Sequence, residues 1–125
     1  MQSLQRNPAE AYRRVDLDAR IDASNPGQLT RICLEEAVVA LGQARSALER
    51  EPERVPRDAL SRAHGIALWL VSNIAPDNPL RDQLAQFYGG LEVVIRRNLI
   101  NARVAEIAQV QTDFNDLLEA AKQSQ

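Results

Sequence analysis

Residues 29–48 read LTRICLEEAVVALGQARSAL. Leu29, Cys33, Ala37, Ala40, Leu41, Ala44 and Leu48 recur at spacings of three, four and seven. At about 100° per residue they share one broad face. No proline interrupts the stretch, so it predicts one long amphipathic helix. Upstream, Ser24-Asn25-Pro26-Gly27-Gln28 supplies a start: Asn25 can cap, Pro26 suits the first helical position, and Gln28 completes a capping-box spacing. Downstream, Pro52 stops the helix at about Glu51.

The same period continues along the chain. After a turn from Glu53 to Pro56, a second helix is expected from about Pro56-Arg57-Asp58 to Ile74, with Leu60, Ala63, Ile66, Ala67, Leu70 and Ile74 inward. Pro76-Asp77-Asn78-Pro79 breaks it. A third, from about Leu80, carries Leu84, Phe87, Tyr88, Leu91, Val94 and Ile95 on one stripe. Asn98 to Ala102 is ambiguous, because two asparagines suggest a turn that no Gly or Pro forces. A fourth helix, from about Arg103, presents Ile107, Val110, Phe114, Leu117, Leu118 and Ala121. Four amphipathic helices with short connections predict an all-α fold, an antiparallel four-helix bundle over residues 25–121. Residues 1–24 are expected to form an extended N-terminal strap. Val15, Leu17, Ala19 and Ile21 alternate as in a strand and need a groove to lie in, and a short helical turn near Tyr12 is the other option. Residues 122–125 are expected to be a disordered tail.

Composition agrees. The chain has 125 residues, enough for one domain with its own core, and its 4% aromatic content is low for a sandwich or barrel. A net charge of -2 gives no electrostatic reason to bind nucleic acid or an acidic membrane. No apolar run approaches the roughly 20 residues of a membrane span, and no secretory apolar region opens the chain. One cysteine, Cys33, allows no internal disulfide, so a cytoplasmic protein is expected.

Motifs for catalysis are missing. There is no phosphate loop, nucleophile elbow or zinc signature. Glu35 and Glu36 are adjacent and point about 100° apart, so they form no acid/base pair. No enzyme, cofactor or metal is expected. The one histidine, His64, follows Ala63 and precedes Gly65. This slightly resembles histidine phosphotransfer domains, which are four-helix bundles with one phosphorylatable His. Ile66-Ala67-Leu68-Trp69 then departs from that pattern, because a bulky apolar patch without a cation suits a phosphoryl group poorly. A boundary histidine is the plainer reading.

The informative residues are apolar ones off the core stripes. These are Ile32 and Val39 on the first helix, and Leu68 and Trp69 beside Gly65 on the second. Gly89, Val93 and Ile100 align on the third. Second apolar stripes at helical spacing suit grooves that accept a partner helix. Coverage by the N-terminal strap, or simply wide apolar faces, is the other explanation.

Tyr12, Val15 and Asp22-Ala23-Ser24-Asn25-Pro26-Gly27-Gln28-Leu29 ahead of an Ala/Leu helix resemble the flagellin-specific export chaperones of the FliS family. The resemblance continues at Arg62-Ala63-His64-Gly65-Ile66, at Leu84 and Phe87-Tyr88, and at Ile107, Val110 and Leu117-Leu118. The chain departs from that family at Leu34-Glu35-Glu36-Ala37, at Gly89-Gly90, and in having no Trp in the fourth helix. Leu68-Trp69 and Asp77-Asn78-Pro79-Leu80 are also similar to flagellin-synthesis regulators of the FlaF type. The export-chaperone resemblance implies a cytoplasmic protein that binds the C-terminal segment of flagellin, prevents premature polymerisation and keeps it competent for type III secretion. It implies a monomer or weak homodimer, and leaves the export gate and flagellar regulators open as further partners. Partner contacts are then expected at Tyr12, Ile32, Val39, Gly65, Leu68, Trp69, Gly89, Val93 and Ile100.

Overall fold

The computed structural model describes residues 26–123. They form four α-helices in chain order: α1 Pro26–Arg50, α2 Arg57–Ser72, α3 Arg81–Asn98 and α4 Val104–Gln123. The described residues divide at Ile32 into two units. Pro26 to Ile32 open α1, and the described residues from Cys33 to Gln123 form an all-α four-helix bundle. The expected strap, including Tyr12, lies outside the described residues.

Helix boundaries follow local chemistry. α1 ends beside Pro52, with the Glu51 N–H still reaching the Ala47 carbonyl at 2.9 Å. Asp58 in the first turn of α2 complements the helix dipole. The second helix stops at Ser72 rather than Ile74. There Ser72 Oγ donates to the Leu68 carbonyl (2.8 Å) and Asn73 Nδ2 to the Trp69 carbonyl (2.9 Å). These side chains compete with backbone donors and release the chain early. Asn78 Oδ1 then accepts from the Leu80 N–H at 2.8 Å and sets up the start of α3. α4 runs through Lys122 to Gln123, two residues past the expected end of the bundle.

The α3–α4 connection, ambiguous in sequence, is fixed by one side chain. Asn98 is only 1% exposed. Its Nδ2 donates to the Val94 carbonyl (2.8 Å) and to Glu106 Oε1 (2.9 Å). Its Oδ1 accepts from the Arg103 N–H at 2.7 Å. A buried amide with three partners closes the turn as a glycine otherwise would.

The core draws on all four helices. Leu34, Leu41, Leu60, Ile95, Ile107 and Phe114 are fully buried. Leu34 precedes Leu41 by seven residues and completes the stripe on α1, a spacing that was available in the sequence. Ala37, Ala40 and Ala44 on α1 and Ala63 and Ala67 on α2 are also buried, which lets backbones approach closely. Gln111 Nε2 on α4 donates to the Val38 carbonyl at 3.3 Å and stands 2.9 Å from where a Cβ on Gly42 would lie. A Cβ there would need only a small shift of the flexible Gln111 amide. Ile66, Ile74, Leu84, Val94 and Leu117 pack against the core only partly buried. Phe87, expected inside, is 43% exposed. The buried face of α3 is the narrower stripe Tyr88, Leu91, Ile95 and Asn98.

Candidate partner-binding groove between α3 and α4

Two seams flank α3. On the α2 side, Arg57 donates to the Leu99 carbonyl at 3.3 Å, and His64 Nε2 lies 2.8 Å from Glu92 Oε2. These bonds set one antiparallel register. Glu92 also accepts from Arg96 Nε at 2.8 Å. The Arg96 bond first, then the His64 bond, hold the Glu92 carboxyl below the usual carboxylate range. A phosphoryl group placed on His64 Nε2 would face that carboxylate.

On the α4 side the helices part. A groove of about 360 Å³ is lined by Phe87, Gly90, Leu91 and Val94 from α3, and by Val110, Gln109 and Asp113 from α4. Its floor is apolar and its rim polar. Phe87 lies at the mouth, 43% exposed. A Cβ built on Gly90 would meet nothing within 4 Å, so the bare backbone there widens the groove. Gln109 Nε2 donates to Asp113 Oδ1 at 3.0 Å along one rim. Near the turn, Arg97 and Glu106 pair at 3.4 Å on the groove wall. Bonds from Asn98 and Arg97, with Arg97 and Arg103 charges nearby, keep the Glu106 carboxyl below its usual range.

The residues expected to touch a partner are spread over the bundle. Ile32 is 6% exposed, Val39 on α1 is 42% exposed and Leu68 on α2 is 47% exposed. Gly65 is exposed on α2. Trp69 is half-buried and packs against the core. On α3, Gly89 is half-buried and Val93 is 38% exposed, and Ile100 in the following turn is 82% exposed. Of these, only Ile100 adjoins the groove, through a hollow that shares Arg97 and Glu106 with it. The groove itself uses Phe87, Gly90, Val94 and Val110, which sequence reasoning took as core or left aside. The available signal was the width of the apolar face on α3: Phe87 and Val94 flank the Tyr88–Leu91–Ile95 stripe on its α4 side.

Other reactive groups are quiet. Burial, followed by the charge of Glu36, pushes the Cys33 thiol up to about 11, so the group stays protonated and acts as packing. Among the described residues no group of His, Cys, Asp and Glu is placed to hold a metal ion. No helix among them is long and apolar enough to cross a membrane. No protein-family model matches the chain, and no curated protein matches it.

Proposed function

We propose that this protein is a binding module, not an enzyme, and that it holds an amphipathic helical segment of a client in the α3–α4 groove. The observation that carries the proposal is the open apolar groove, with Phe87 at its mouth and the bare backbone of Gly90 in its wall. A large side chain such as Phe87, left 43% exposed beside a polar rim, is what a docking anchor requires.

The sequence resemblance supplies the client. The C-terminal segment of flagellin forms amphipathic helices when bound, and its apolar face is the one that polymerises. A chaperone that covers this face in the cytoplasm blocks assembly until export. Groove and client then order together. Burial of apolar surface offsets the entropy lost by the segment.

Calorimetry with a flagellin C-terminal segment tests the proposal. Saturable binding at micromolar concentration is expected, with a negative heat-capacity change from apolar burial. Phe87→Ala is expected to weaken it by about 2 kcal/mol, roughly thirtyfold in affinity, with an unchanged melting temperature. No heat at two temperatures, or full affinity in Phe87→Ala, would overturn it.

A further inference from the structure

We infer that the α3–α4 groove takes its client helix in one direction only, parallel to α3, with an acidic C-terminal end seated at the α3–α4 turn. The inference rests on the binding reading above and adds a polarity to it. The polarity comes from the charges at the two ends of the groove.

At the turn, the groove runs into a hollow of about 480 Å³ lined by Arg97, Ile100, Asn101, Arg103 and Glu106. Glu106 is engaged by Asn98 at 2.9 Å and by Arg97 at 3.4 Å. Two guanidiniums against one engaged carboxylate leave this end positive. Ile100, 82% exposed, offers an apolar contact beside them. Toward the other end the charged lining residue is Asp113, held on the rim by Gln109. A helix carries about half a positive charge at its N-terminus and half a negative charge at its C-terminus. Its N-terminus therefore belongs beside Asp113, and its C-terminus beside Arg97 and Arg103.

α3 itself runs from Phe87 to Arg97 along the groove, so the bound helix is parallel to it. Those two residues are ten positions apart, or about 15 Å of helix axis. The groove thus holds about three turns, and the hollow takes the residues beyond them. The occupant is an amphipathic helix with apolar anchors at three- and four-residue spacing and carboxylates in its last turn.

Two labelled 14-residue peptides of identical composition test the direction. Both carry the same apolar stripe, one with Glu-Glu in the last turn and the other with Glu-Glu in the first. Affinities are read by fluorescence anisotropy on the full chain and on the Arg103→Glu and Gly90→Leu variants, with melting temperatures measured alongside. Because each peptide is compared with itself across proteins, its intrinsic helicity cancels. Arg103→Glu is expected to weaken the C-terminally acidic peptide about tenfold and to change the other less than about twofold. Equal sensitivity, or greater sensitivity of the N-terminally acidic peptide, overturns the direction while leaving the groove in place. Gly90→Leu fills the groove from a position with open space, so the fold is kept and both peptides are expected to be lost. If both still bind Gly90→Leu, or neither binds the unmodified chain, the groove reading fails and the direction fails with it.

Discussion

The two seams of α3 differ: charged Glu92 and Arg96 mark the α2 side, and Phe87, Gly90 and Val94 the α4 side. Toward α2 it packs closely along much of its length, and polar bonds from Arg57 to Leu99 and from His64 to Glu92 close the outer edge. Ala63 and Ala67 on α2 are fully buried. Toward α4 the contact is sparser. Asn98 and Glu106 hold the helices at the turn, and a groove lies between them along Phe87, Gly90 and Val94. One helix thus contributes stability on one flank and leaves apolar surface unfilled on the other. On the proposed binding reading, the burial left unmade on the α4 side is what a client would supply.

The largest expected effect is at the point that holds the open seam together. Asn98→Ala removes three hydrogen bonds from a site 1% exposed and strands the Arg103 N–H. A loss of about 2 to 3 kcal/mol in urea unfolding is expected. An unchanged midpoint would show that the turn does not depend on this amide.

Trp69→Ala separates the seams next. The indole is half-buried against the core on α2, away from the groove. The expected result is a stability loss of about 2 kcal/mol with client affinity retained. Weakened binding at an unchanged melting temperature would move the client site to α2, one of the faces on which sequence spacing predicts partner contacts.

The smallest effect concerns the closed seam in acid. The Glu92 carboxyl is held below its unfolded value, so its contribution is complete above about pH 4.3 and is lost as pH falls through the folded-state value. Glu92→Gln is expected to flatten this acid limb of the stability curve and to cost less than about 1 kcal/mol at neutral pH. Urea midpoints across that range check it, and an unaltered acid limb would mean that the His64–Glu92–Arg96 cluster does not couple the helices.

The fold was legible where periodicity met punctuation. Pro52, Pro56 and the Pro76–Pro79 segment bracket helices whose three- and four-residue spacing is plain. The α3–α4 turn was not legible, because its closure depends on Asn98, Arg103 and Glu106 meeting in space, at offsets of five and eight residues with no turn signature. The groove was hidden for a related reason. Phe87 and Val94 belong to a wide apolar face, and how much of that face α4 covers is set by how the helices splay. Periodicity finds an apolar face without revealing whether a neighbour fills it. Leu68 and Val93 show the converse: off-stripe apolar residues that are exposed without gathering into one groove.

We propose that the client binds on the α4 flank of α3, away from the seam with α2. Amide hydrogen exchange on the full chain, with and without a saturating flagellin C-terminal segment, tests it most directly. Slower exchange is expected in α4 around Gln109–Asp113 and on α3 around Phe87–Val94, with α2 around His64 unchanged. Protection confined to α2, or spread evenly over the bundle, would contradict it.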